Sequence, residues 1–187
     1  MASTSTAFLY VIALGSNRCH GRHGRPETVL AAALTAMEAA GLEIIAAAPP
    51  VASAPIGPSL RTYANATCQI RSQLAPPALL ASLKKIEQAF GRRRGQRWGS
   101  RVLDLDIILW SGGCWKSRKL TIPHAHWRER AFVALPLADL APDWRAPKSH
   151  QHVRHVAAHL RRPRPLSRLT SPASPPRGMP TARRHER

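Results

Sequence analysis

Two aspartates one residue apart, Asp104 and Asp106, lie inside "RWGSRVLDLDIILW", a stretch whose second half otherwise consists of bulky aliphatics. Directly upstream runs "GRRRGQR", so Arg92, Arg93, Arg94, Arg97 and Arg101 all fall close before the pair. On a strand, residues i and i+2 project from the same face. The pattern therefore predicts Asp104 and Asp106 pointing together, with Leu103, Leu105 and Ile107 turned the other way into a core. Neighbouring carboxylates repel unless something positive compensates, and aspartate is depleted in strands. A magnesium ion resolves the conflict, because it takes oxygen ligands and binds through one or two carboxylates plus substrate phosphates. Guanidinium forks match phosphate oxygens. Together these are the parts of phosphoryl transfer, where positioning and charge neutralisation supply most of the catalysis. The plainer alternative is a half-exposed strand whose aspartates pair with nearby arginines, and Arg93 or Arg94 taken singly reads as a solvated loop charge. No GxxxxGK[ST] run occurs, which excludes a P-loop enzyme.

The pair must be held by a folded frame, and the pattern supplies one. Phe8 to Leu14 is apolar and β-favouring, ending at a Gly15-Ser16-Asn17 turn. Pro26 suits a first helical turn, Val29, Leu30, Ala33, Leu34 and Met37 form an apolar stripe, and Gly41 suits the stop. Leu42 to Ala48 resumes as a strand, "PPVASAPIGPSLRTY" reads as a loop, and "ANATCQIRS" alternates as a strand. Leu79, Leu80, Leu83, Ile86 and Phe90 predict a second helix from Pro76 to Phe90, with Gly91 at its end. The aspartate strand follows, then a short helix over 130–140. Strand, helix, strand, strand, helix, strand is the split βαβ order, predicting an α+β, ferredoxin-like βαββαβ sandwich with its helices on one face of a mostly antiparallel sheet. Past Trp144 prolines and arginines dominate without aliphatic periodicity. Residues 1–147 are therefore expected to form the domain, and 148–187 a disordered basic tail.

Charge and cysteines narrow the setting. The formal net charge is +18, but residues 145–187 hold eleven of the 28 Lys+Arg and one of the ten acidic residues. What remains in the domain still favours an anionic partner, nucleotide or nucleic acid. Cys19, Cys68 and Cys114 are odd in number and far apart, which fits a reducing cytoplasm. No apolar run of membrane-spanning length occurs. The start resembles a signal peptide only superficially, since it lacks a basic n-region.

"RWGSRVLDLDII" resembles the signature of the 6-hydroxymethyl-7,8-dihydropterin pyrophosphokinases of folate biosynthesis, and the likeness extends through "YVIALGSN", "APIGP", "YANA", "IEQAFGR", "LTIPH" and "RAFVALPLADLAPD". It covers about residues 8–145. It implies the ferredoxin-like fold and transfer of the β,γ-pyrophosphoryl unit of ATP to the pterin hydroxymethyl oxygen, releasing AMP. It also implies two Mg²⁺ ions held by Asp104 and Asp106, with Arg92 and Arg101 stabilising the departing charge. Lys119, Thr121 and His124 would contact the nucleotide. Glu87 would support the adenosine side, or else be an ordinary charge on the helix surface. Tyr63, Asn65 and Phe132, with Arg130 and the loop carrying Ser53, Ala54 and Ile56, would hold the pterin. Trp98 would close over both ligands. The partners so implied are small molecules, met by a cytoplasmic monomer without specific nucleic acid or membrane.

Four features depart from the family's pattern: Ser53-Ala54-Pro55 in the pterin loop, Lys119 where arginine is usual, an arginine loop shorter than in some members, and the basic tail. An RNA recognition motif shares the fold class, but its sheet aromatics are missing, and aromatic residues make up only 5% of the chain.

Overall fold

The computed structural model of the chain describes residues 7–53, 62–91, 102–147 and 149–162. The chain opens with strand β1 (Phe8–Ser16), helix α1 (Pro26–Ala39), strands β2 (Glu43–Ala47), β3 (Val51–Ser53) and β4 (Tyr63–Ser72), and helix α2 (Pro76–Ala89). Strand β5 (Asp104–Trp110), a hairpin of β6 (Trp115–Lys116) and β7 (Thr121–Ile122), and helices α3 (Ala131–Leu140) and α4 (Val153–Arg161) complete it. Both α1 and α2 begin with proline in the first turn. Each is followed by a glycine at positive φ, Gly41 and Gly91, where a side chain would be strained.

The main sheet runs β2-β4-β1-β5, with β3 pairing β4 as well. All its pairings are antiparallel. Alternation along β1 divides the interior in two. Tyr10, Ile12 and Leu14 join Leu105 and Ile107 of β5 beneath α1 and α2, where Val29, Leu30, Leu79 and Leu83 are buried. Val11, with Ile108 and Leu109, joins Val133, Ala134 and Leu137 of α3 and Val153, Val156 and Ala157 of α4. Burying each large aliphatic side chain contributes about 1.5–3 kcal/mol.

Two expectations are corrected. Helices pack on both faces of the sheet: α1 and α2 on one, α3 and α4 on the other. An amphipathic stripe shows that a helix buries one side, but not which face of the sheet receives it. The folded part also extends past residue 147. Helix α4 packs on α3, and residues 149–162 are ordered structure rather than tail. Its stripe of Val153, Val156, Ala157 and the partly buried Leu160 is narrow and set among histidines and arginines, which hid the period. Residues 163–187 lie outside the described residues.

Candidate active site

The site face is laid out by cross-strand register. Gly15 of β1 pairs with Asn65 of β4 on one side and Asp104 of β5 on the other. Two residues along, Ala13 pairs with Thr67 and Asp106. Directly paired residues share a face, so Asn65, Asp104, Thr67 and Asp106 all rise on the face away from α1 and α2. Leu105 and Ile107 are buried on the opposite side, as the alternation predicts. With only glycine at its centre, the first row carries no side chain between Asn65 and Asp104. A Cβ built at Gly15 would already lie 3.5 Å from Asn65 Oδ1.

The register continues outward. Ser53 pairs with Tyr63, and Val51 with Asn65. The buried Asn65 donates from Nδ2 to Ser53 Oγ at 2.8 Å. A cavity of about 350 Å³ lies beside this edge, lined by Val51, Ser53, Phe132, Leu135 and Pro136 among others. Ser53, Tyr63, Asn65 and Phe132, expected around the pterin, therefore come from β3, β4 and the start of α3.

At the other end, the segment after β7 docks on β5. The His124 N–H donates to the Ile108 carbonyl at 3.0 Å. His124 Nδ1 accepts a long bond from the His126 N–H at 3.4 Å, so the neutral ring carries its proton on Nε2, where it can donate. Burial holds the His124 imidazole below its usual range, the Asp106 carboxylate opposing this. Burial, and after it the Asp104 carboxylate, push the Asp106 carboxyl above the usual carboxylate range, while Lys84, His124 and Arg130 pull it back. Asp104, Asp106, His124 and Arg130 thus form one electrostatic group. Lys84 belongs to it too, and sequence reasoning missed it, because the lysine reads as a surface charge on α2. Lys119 and Thr121 are exposed on the β6–β7 hairpin.

Glu87 is not on the helix surface. It is 0% exposed and accepts the Leu105 N–H at 2.8 Å and the Lys84 ammonium at 2.5 Å. Arg92, Trp98, Arg101, Ala54 and Ile56 lie outside the described residues.

The donor set suits a hard divalent cation. Two carboxylates share a face, and their mutual repulsion is relieved by positive charge. Among the described residues no three metal-ligating side chains converge. Mg²⁺ typically binds through one or two carboxylates and takes the rest of its shell from water and substrate phosphates.

Residues 11–142 match the family model described as 7,8-dihydro-6-hydroxymethylpterin-pyrophosphokinase (HPPK). The chain belongs to this family. Among HPPK relatives, the 2-amino-4-hydroxy-6-hydroxymethyldihydropteridine pyrophosphokinase of Synechocystis is 43% identical over 110 residues, 59% of this chain and 56% of that protein. The enzyme of the same name from Pseudomonas aeruginosa is 41% identical over 138 residues, 73% of this chain and 82% of that one. The chain thus spans little more than half of the first relative's length and most of the second's. The crystal structure of Plasmodium falciparum HPPK-DHPS resembles the chain with a TM-score of 0.63 at 11% identity, over 83% of this chain and 44% of that one. At that identity the likeness is one of fold.

Proposed function

We propose that this chain carries out the reaction of its family, moving the pyrophosphoryl group of ATP to the hydroxymethyl oxygen of 6-hydroxymethyl-7,8-dihydropterin. The products are the pterin diphosphate and AMP, and the step belongs to folate biosynthesis. The observation that carries this reading is the row Asn65–Gly15–Asp104. It sets an amide able to read a heterocycle's edge across a glycine from a carboxylate able to hold a cation, with no side chain between them.

Asp104 and Asp106 would hold Mg²⁺, two ions by the family's pattern, which would supply charge withdrawal at the attacked phosphorus. The chain's own groups do the rest. Tyr63 and Phe132 offer ring faces to a flat bicyclic pterin, while Asn65 pairs with its edge, oriented by Ser53. Ala54, Ile56 and Arg130 complete that side. His124 donates from Nε2 to a phosphate oxygen as a neutral ring, with Lys119 and Thr121 on the adjoining hairpin. Arg92 and Arg101 stabilise charge on the departing oxygen, and Trp98 helps exclude water. The strand order supports reading the fold as ferredoxin-like. No described helix is long and apolar enough to cross a membrane. We read the protein as a cytoplasmic monomer acting on small molecules.

Incubation of the full chain with ATP, Mg²⁺ and the reduced hydroxymethylpterin tests the reading. AMP should form only when the pterin is present. ADP in its place, or AMP formed without the pterin, would overturn it.

A further inference from the structure

Strand β5 is at one end of the sheet, so among the described residues no strand pairs with the backbone groups on its outer side. Leu105, the residue between the two aspartates, lies opposite Leu14 in the register. Its N–H nevertheless donates to Glu87 Oε1 at 2.8 Å. Lys84, three residues before Glu87 on α2, donates to the same oxygen at 2.5 Å and to the Leu105 carbonyl at 3.3 Å. One turn of helix thus takes the place of a neighbouring strand for a single residue.

The covalent geometry makes that residue consequential. The Leu105 N–H belongs to the peptide unit joining it to Asp104, and the Leu105 carbonyl to the unit joining it to Asp106. A rotation of either peptide plane swings the Cα–Cβ direction of one aspartate relative to the other. An ion pair with a fully buried carboxylate is a poor device for stability alone, since packed apolar side chains serve as well. A leucine at position 87 would fill space on α2 but could accept nothing from the strand.

We propose that Glu87 and Lys84 are positioning residues for the aspartate pair, gripping one peptide unit on each side of Leu105 and so setting the spacing of the two carboxylates. This rests on the reading of Asp104 and Asp106 as cation ligands. Groups that orient metal ligands typically matter by about 10–100-fold in metal affinity or activity.

The test compares Glu87→Ala, Glu87→Gln and Lys84→Met in the full chain. It measures Mn²⁺ binding by electron paramagnetic resonance with a non-hydrolysable ATP analogue, amide hydrogen exchange at Leu105, and kcat and KM. Glu87→Ala should speed exchange at Leu105, weaken Mn²⁺ binding about tenfold or more, and lower kcat more than it raises the KM for ATP. Glu87→Gln keeps an oxygen that accepts the N–H and should recover most of the loss. Wild-type Mn²⁺ affinity in a folded but less stable Glu87→Ala would overturn the proposal and leave a structural ion pair. Should Glu87→Ala not fold, Lys84→Met decides: several-fold weaker Mn²⁺ binding supports the proposal, and unchanged binding overturns it. Asp106→Asn separates the two readings. If it binds Mn²⁺ as the wild type does, the cation site itself is wrong, whatever happens at Leu105.

Discussion

Asn65 and Asp104 face one another across Gly15, in a single row spanning three strands. The glycine puts no side chain between them. A branched side chain there would fill the space between the amide and the carboxylate. Gly15→Val should lower kcat/KM for the pterin by about a hundredfold, the scale of a misplaced reactant, with the circular dichroism of the wild type. Gly15→Ala places its Cβ 3.5 Å from Asn65 Oδ1, an ordinary contact, and should cost far less. Steady-state kinetics on both variants decide this.

On the proposed reading, Asn65 reads the substrate edge, held by its hydrogen bond to Ser53. Asn65→Ala should raise the KM for the pterin about tenfold or more, as expected when a site's polar partner is removed, and leave the KM for ATP nearly unchanged. Equal effects on both substrates would place Asn65 outside the pterin side.

On the proposed reading, Asp106 holds the cation at a cost in stability. Burial and Asp104 raise its folded-state pKa, so the folded protein prefers the protonated acid. The associated stability is fully present below the unfolded-state pKa and is lost as pH rises through the raised folded value. Without metal, Asp106→Asn should therefore melt higher than the wild type at neutral pH, and the difference should vanish in acid. Mg²⁺ with nucleotide should narrow it by stabilising only the wild type. The same variant should lose at least about a hundredfold in kcat. Calorimetry across pH in EDTA, then in Mg²⁺ with the nucleotide analogue, checks the sign.

Arg92→Ala should lower kcat more than it weakens ATP binding, because a charge that meets the departing oxygen acts in the transition state. Nucleotide titration beside single-turnover rates separates the two. A pure loss of ATP affinity would count against the role.

The described residues end at Arg162. Removing residues 163–187 should leave melting temperature and turnover unchanged. Removing 149–187 also takes away α4 and uncovers its partners on α3, among them Val133 and Leu137. That loss should cost on the order of 3 kcal/mol or more. The ion pairs of Arg154 with Asp143 and Arg161 with Asp139 lie exposed at the rim and add little. Urea denaturation of both truncations measures the difference.

Elements long enough to show a period were legible in the residues: β1, α1, β4, α2 and β5 stand within a residue or two of where alternation and helical spacing put them. Strand β3, with three residues, and the two-residue strands β6 and β7 are too short to carry any period. Glu87 was misjudged in its alternative as a surface charge for a different reason. Its local pattern is that of any charged helix position, and its partner Leu105 lies 18 residues away.

The sequence alone determined that Asp104 and Asp106 point the same way, because side-chain direction along a strand follows from backbone stereochemistry and needs no distant partner. Only the tertiary structure decided what meets them there. Register across β4, β1 and β5 brings Asn65 to the same row, docking of the segment after β7 brings His124, and α2 brings Lys84 and Glu87 to the strand's edge. Those neighbours are chosen by hydrogen-bond register and by the packing of separate segments, which no local spacing encodes.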